Sequence, residues 1–348
     1  MAGEVLTLSR AMKILYEEGR VPLADIIKAL FPQVKTYDTE EIPMDRVIPK
    51  RILARYREKG GASNILAYTP GKGYFYTPPN LDESTPVDEK LAAAVIAGLE
   101  ANAPAEARIT KLVSEILLQH DDAMTRTIVK QVFDICINGK FQPVGKGGVA
   151  IGEPFDFERN TGNTIKKDYS GKAIEQLTDA YDQYVKMHGP QGRLFAIVGS
   201  SVLSALEDDD KFRKALELQA LHAGVTYLTG ENTVFAHITE MKIPGRAARF
   251  ELFSFNEDYE NEAGESVQYM NSKGLIFSSF NAPRMQLYGG VFIIDSNQKS
   301  RIMEGQMVTD SFVQKNPDAY IVRSQSRPLL VPGNVNHIVY AENTKGTT

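Results

Sequence analysis

Residues 51–79 can form neither a helix nor a core of their own, and no other feature constrains this chain as much. Pro70, Pro78 and Pro79 break helical bonding, while Gly60-Gly61 and Pro70-Gly71 mark turns. Between the turns lie Ile65, Leu66, Tyr68, Tyr74, Phe75 and Tyr76. A two-stranded ribbon is marginal alone in water, so these apolar groups need a surface outside the ribbon. The residues alone leave two readings open. One is a hairpin folded back on its own domain; the other is an arm laid against a partner.

At 348 residues the chain can hold two domains of ordinary size. A hydrophobic content of 43% and a charged content of 24% are those of a soluble globular protein. The net charge of -5 provides no global basic field for gripping nucleic acid. The single cysteine, Cys136, excludes an intrachain disulfide framework and, set in an apolar helical pattern, reads as an inert buried thiol. No apolar run approaches the roughly 20 residues that span a bilayer, so no membrane partner is expected. The N-terminus lacks the pattern of a secretory signal.

Hydrophobic periodicity organises the rest. Residues 6–31 read as two short helices, the first stopped by Gly19 and the second opened by Pro22. Residues 88–101 are alanine-rich and helical. A long helix is expected from Pro104 to Asn138, stopped by Gly139. Its stripe of Ile109, Leu112, Val113, Ile116, Leu117, Met124, Ile128, Val132 and Ile135 steps by three or four. Such a rod with one apolar face backs a long sheet or spans a plate-like subunit. Further on, Ser170 is expected to cap a helix closed by Gly189, and Leu194–Val198 reads as a buried strand. Helices are expected around 202–206 and 212–222. From Val225 onward the signals are mostly strands, with 249–255 and 265–269 flanking an acidic turn at 261–264. The class is α+β.

Chemical motifs do not survive inspection. Gly145–Ala150 has the glycine spacing of a dinucleotide loop, but Ile151-Gly-Glu-Pro154 cannot open the helix that would hold a pyrophosphate. Ser200 and Ser201 sit where a hydrolase nucleophile would, yet Leu203 replaces the second glycine of that turn, leaving a capping serine as the expected role. The histidines at 120, 188, 222, 237 and 337 show no metal-ligand spacing. Asp208–Asp210 suits a helix start. Glu257, Asp258, Glu260, Glu262 and Glu265 do not fit a calcium loop and read as a solvated hairpin tip. No catalytic, cofactor-binding or metal residue is assigned, and no cofactor is expected. One basic cluster remains at the root of the arm, formed by Arg46, Lys50, Arg51, Arg55, Arg57 and Lys59. It suits a strip that meets an acidic neighbour and fixes register.

Four stretches, in order, resemble the tailed-phage major capsid proteins of the phage lambda type (the major capsid protein E family), which have the Hong Kong 97-type capsid fold. They are the arm with Arg55, Gly60-Gly61 and Tyr68-Thr-Pro-Gly71; Asn138-Gly-Lys-Phe141; Asp156-Phe-Glu-Arg159 leading to Asn163; and the tail from Asn316-Pro-Asp318 through Val322-Arg-Ser324 to Arg327-Pro-Leu-Leu330. Pro283-Arg284 with Leu287-Tyr-Gly-Gly290 is a fainter echo. The segment Asp82–Pro86 departs from the family's charged stretch.

The resemblance implies an N-terminal arm over 1–45, an extended loop over 46–87, and a peripheral domain with the spine helix over 88–164. It implies an axial domain over most of 165–300 and a C-terminal return to the peripheral domain over 301–348. The implied function is a non-enzymatic shell subunit that self-assembles into pentamers and hexamers of an icosahedral phage head enclosing double-stranded DNA, without sequence-specific binding. A separate scaffolding protein and a portal are the implied partners; the sequence does not decide whether a decoration protein joins them. The expected location is the virion capsid, assembled in the host cytoplasm. No subunit crosslink through Lys59 or Lys72 is expected. The expected interface residues on the extended loop are Arg51, Arg55, Arg57, Tyr68, Tyr74, Phe75 and Tyr76. Two alternatives are an encapsulin-type compartment and a soluble α/β enzyme with an unrecognised site.

Overall fold

The computed structural model describes residues 23–46, 72–87, 105–170, 172–189, 192–210, 212, 235–243, 246, 248–294, 300–315 and 318–345. Helix α1 (Ala24–Leu30) buries Ile26, Ile27 and Leu30. Four extended segments follow: β1 (Gln33–Thr36), β2 (Ile42–Arg46), β3 (Lys72–Tyr76) and β4 (Leu81–Val87). Then comes the expected rod, α2 (Ala105–Asn138), whose 34 residues at about 1.5 Å each span about 50 Å. The short pair β5 (Lys140–Phe141) and β6 (Phe155–Asp156) and the strand β7 (Thr164–Lys167) lead to α3 (Ala173–His188), β8 (Leu194–Val198) and α4 (Ser200–Glu207).

The described remainder is strand-rich, as the sequence indicates. It runs through β9 (Phe235–Lys242), β10 (Arg249–Phe255), β11 (Asp258–Glu260), β12 (Ser266–Gln268), β13 (Gly274–Ser279) and β14 (Arg284–Tyr288). It ends with β15 (Val291–Ile294), β16 (Ser300–Met303), β17 (Val308–Lys315), β18 (Asp318–Ser326), β19 (Pro328–Pro332) and β20 (Val339–Asn343).

One apolar stripe on α2 serves two cores. Toward its N-terminus Leu112, Val113, Ile116 and Leu117 pack on Val322 of the sheet β17-β18-β4. Toward its C-terminus Val129, Val132, Phe133 and Cys136 enter the largest core, shared with α1 and the sheet β1-β14-β19. The six-stranded mixed sheet β7-β20-β13-β8-β10-β9 closes that core from the other side. Strand β8 shows why its sequence is continuously apolar. Phe195 and Ile197 face the α2 core, while Leu194, Ala196 and Val198 face a second core under α3. The C-terminal segment divides between these regions. Strands β17 to β19 pair near the spine helix, whereas β20 enters the six-stranded sheet between β7 and β13.

Two of the quoted sequence stretches meet at the end of α2. Gly139 stops the helix with φ +70, and a Cβ there would lie 2.5 Å from Arg159 Cβ. Arg159 Nη1 donates to the carbonyls of Cys136 at 2.7 Å and Ile137 at 2.8 Å, and Nη2 donates to Asn163 O at 2.7 Å. A cation thus sits on the carbonyl end of the helix, where the macrodipole favours it. Burial pushes this guanidinium down to about 10, so it stays charged at neutral pH. The pairing of Lys140 with Asp156 and Phe141 with Phe155 holds the two stretches together.

Three local expectations are corrected. Ser170 does not cap α3: the helix starts at Ala173, and Ser170 sits at φ 49 with its amide donating to Asp168 Oδ1. The serines of the 199–201 turn do not cap α4 either. A carbonyl from another turn takes that role, as Ser201 N and Val202 N donate to Ser272 O at 3.1 and 3.3 Å. The acidic turn at 261–264 joins β11 to β12, whereas Arg249–Phe255 pairs with β8 and β9.

His120 ties the spine to the sheet beside it. Its Nδ1 lies 3.0 Å from Ser324 Oγ and its Nε2 2.9 Å from Thr85 Oγ1. Burial holds its pKa below the usual imidazole value, with Asp82 opposing the shift in part.

Replacing Gly139 by Ala should cost roughly 1–3 kcal/mol through positive-φ strain and crowding. Arg159→Met should cost at least as much by leaving helix carbonyls without their donor, about 1–3 kcal/mol for each buried group. Urea unfolding of the subunit measures both, and an unchanged midpoint for either refutes the cap. Because the folded pKa of His120 is depressed, its contribution is complete above about pH 6.5 and is lost as pH falls through the folded value. Stability should therefore decline as pH falls below about 6.5, and His120→Gln should flatten that part of the profile.

Candidate subunit interface

Strands β2 and β3, which flank residues 47–71 in the sequence, pair as an antiparallel ribbon. Ile42 pairs with Tyr76, Pro43 with Phe75, Met44 with Tyr74, Asp45 with Gly73, and Arg46 with Lys72. Strand residues alternate between faces, and here one face is anchored. Ile42 is fully buried, and Tyr76 packs on the main core with its ring 5.6 Å from Phe155. On the opposite face Pro43 is exposed and Phe75 is 74% exposed. The ribbon's base is clamped from below. Gly290 N donates to Thr39 O at 2.8 Å, and a Cβ on Gly290 would meet Ile302 Cγ2 at 2.4 Å. Arg327 pairs with Glu40 at 3.3 Å. The fainter glycine pair at 289–290 thus belongs to the socket of the arm.

The expected interface residues divide accordingly. Phe75 presents its ring to solvent, whereas Tyr76 is half-buried and serves its own protomer's core. Tyr74 lies on β3 opposite Met44 in the register. Arg51, Arg55, Arg57 and Tyr68 lie outside the described residues.

Beside the ribbon foot runs a groove of about 1250 Å³ that sequence reasoning did not foresee. Its floor is the solvent side of α2 around Ala123 and Thr127. One wall is the glycine-rich loop, closed by a Val144–Ala150 bridge and by Gly145 N donating to Val149 O at 2.7 Å. That loop leads into β6 and not into a helix, and it exposes Val144, Val149 and Ile151. The other wall is the β11–β12 hairpin with Asp258, Glu260 and Glu262. Glu262 Oε2 accepts from Gly147 N at 2.7 Å, linking the walls. Arg126, on the floor, is paired with Asp122 at 2.9 Å and Glu257 at 3.2 Å. Those two carboxylates raise its pKa further.

Ser201 Oγ contacts Ser272 Oγ at 3.0 Å. Burial pushes the Cys136 thiol up to about 11, which keeps it protonated and unreactive at neutral pH. Among the described residues no three histidine, cysteine or acidic side chains cluster to hold a metal. No described helix is long and apolar enough to cross a membrane.

The family model for phage major capsid protein E matches residues 22–343. No curated protein matches the chain. Among solved structures, a prophage protein of E. coli CFT073 assigned to the capsid is 15% identical. It covers 95% of this chain and 97% of its own, with a TM-score of 0.63, and so shares the fold. The mature capsid subunit of bacteriophage PhiM1 is 10% identical over 89% of this chain and 83% of its own, with a TM-score of 0.47. The SrpI encapsulin of Synechococcus elongatus PCC 7942 is 10% identical over 93% and 88%, with a TM-score of 0.45. The family match extends over nearly the whole chain and the fold agrees with it: the chain belongs to the phage major capsid protein E family, a structural subunit of the virion shell and not an enzyme.

Proposed function

We propose that this subunit closes an icosahedral head through pentamers and hexamers, enclosing double-stranded DNA, and that its extended loop docks on a neighbouring copy. The observation that carries the docking is the two-faced ribbon. Ile42 and Tyr76 fix its root in the core, while Phe75 stands in solvent within the run Tyr74-Phe-Tyr76. A ring left in water at a fixed position becomes favourable only when a partner covers it, at about 25 cal/mol for each Å² buried. Aromatic side chains are enriched among the residues that dominate interface energies. Permanent assemblies commonly bury 2,000 Å² or more, and an extended arm adds such area without needing its own core.

The remaining assignments belong to the same proposal. Residues 88–164 supply the peripheral domain around α2, most of 165–300 the axial domain, and 301–348 the return strands. A separate scaffolding protein and a portal complete the particle, which assembles in the host cytoplasm. DNA is contained without sequence-specific contacts, in keeping with a net charge of -5, since strong phosphate binding takes many lysines and arginines.

Negative-stain microscopy of the expressed protein should show closed shells, and nuclease treatment of particles from infected cells should leave protected DNA. Protected protein cargo in place of DNA would favour a compartment instead. Phe75→Ser should leave subunit stability within about 0.5 kcal/mol, as for exposed positions generally, yet sharply reduce closed particles. Tyr76→Ser should instead destabilise the subunit by about 1–2 kcal/mol, because part of its ring is lost from the core. Normal particle yield from Phe75→Ser would count against the ribbon's outer face as an interface.

A further inference from the structure

His188 and His337, far apart in the sequence, stack face to face with ring centroids 3.7 Å apart and planes inclined by 21°. Both residues are half-buried. His188 is the last residue of α3, which closes at Gly189. His337 ends the short turn Val335–His337, which carries the chain from β19 to β20. Strand β19 belongs to the sheet β1-β14-β19 and β20 to the six-stranded sheet, so this turn is a crossover between two sheets. From α3 the pair faces the ring of Tyr184, 5.3 Å from His188 and 6.4 Å from His337. His188 Nε2 lies 2.6 Å from Asn336 O, and a carbonyl only accepts, so that nitrogen carries a proton. The same carbonyl accepts from Asn163 Nδ2 at 3.0 Å, and Asn163 O in turn accepts from the Arg159 guanidinium. From β13, Ser278 Oγ donates to His337 O at 2.6 Å and accepts from the Arg284 guanidinium at 3.0 Å. The ionised groups reached through these bonds, Arg159 and Arg284, are both cations.

We propose that the His188–His337 stack is a proton-operated latch, which holds the β19–β20 crossover against the end of α3 and releases it when acid charges both rings. A neutral pair, or a pair holding one extra proton, stays stacked, because the His188 Nε2–H bond to Asn336 O survives when Nδ1 takes a proton. A second proton places like charges on rings 3.7 Å apart, in a half-buried setting that water screens poorly and whose bonded ions are Arg159 and Arg284. The rings must then separate or stay singly charged. The open turn binds the second proton more readily than the closed stack does, so by linkage falling pH populates the open form. Histidine changes charge between about pH 5 and 8, which puts the release on the acid side of neutrality. Rings coupled in this way accept protons in two steps that belong to the pair. Release frees a joint between two sheets while each sheet keeps its own ladder, so it loosens the subunit internally without unfolding it.

The latch lies within one protomer, so it is tested on the unassembled full-length subunit and stands apart from the shell reading. Hydrogen exchange, corrected for the intrinsic effect of pH, is followed at the amides that hold the joint. These are Gly189 N on Val185 O, His337 N on Asn334 O and Ile338 N on Val335 O. A His120→Gln background removes the titration of the spine helix's own histidine. Between about pH 7 and about pH 5 these amides should lose protection at least tenfold, while Gly139 N on Ile135 O stays within twofold. His188→Gln, which keeps a donor for Asn336 O, and His337→Gln should each retain protection at neutral pH and abolish the acid response. Imidazole NMR of the unaltered pair should show two titration steps at least about one pH unit apart, and each single variant should show one. Equal protection at both pH values, an acid response that survives in either variant, or two independent titrations in the unaltered pair would overturn the latch. Protection already lost at neutral pH in both variants would overturn it as well, since the stack would then be a structural contact and not a switch.

Discussion

The architecture depends on covering one side of a rod about 50 Å long. A helix of this length with an apolar stripe along one face cannot be satisfied by one small sheet. Each large side chain left uncovered forgoes roughly 1.5–3 kcal/mol. The chain therefore supplies separate cover at the two ends, Val322 of the β17-β18-β4 sheet at one and α1 with two further sheets at the other. His120 stands between those regions, bonded to both β4 and β18 through Thr85 and Ser324. The result is an elongated scaffold, suited to a subunit that must reach several neighbours at once.

The rod also needs a defined end, and there the fold uses a buried cation. A helix leaves its last carbonyls without partners. Arg159 supplies donors to two of them, and Gly139 makes room by having no side chain. The same residues fix where β5 and β6 pair, so the position of the glycine-rich loop follows from how the helix stops. Arg284 plays a similar part under β13, donating to Ser278 and Ser279 beside the ring of Phe195.

How much of this was legible in the sequence depended on the range of the interaction. The spine helix and its stop at Gly139 were readable because a period of 3.6 records the buried face, and β8 because an unbroken apolar run marks a strand buried on both faces. The serine caps were misread because the acceptor at α4 comes from Ser272, far along the chain, and propensity cannot register a backbone carbonyl supplied from elsewhere. Nothing local in Asp156-Phe-Glu-Arg159 marks Arg159 as a cap, and only its contact with Cys136 and Ile137 reveals one. The groove was invisible for the same reason, since its walls lie more than a hundred residues apart and meet through Gly147 and Glu262. The ribbon's need for a surface beyond itself was readable, but the different burial of Phe75 and Tyr76 required the register of β2 on β3.

That register decides which face of the ribbon the fold keeps and which it leaves in solvent. Burial of Ile42 determines which face of the ribbon points inward, and the period of two then forces Phe75 outward. A slip of one residue would bury Phe75, expose Tyr76 and abolish the outward anchor. Overall charge hides a comparable division. The chain's net value of -5 averages a basic loop against an acidic hairpin, and at physiological salt each field fades within about 8 Å. Such patches are silent at a distance and act only once two surfaces are nearly in contact, so a mildly acidic subunit can repel its copies weakly in solution and still bind them at a defined place.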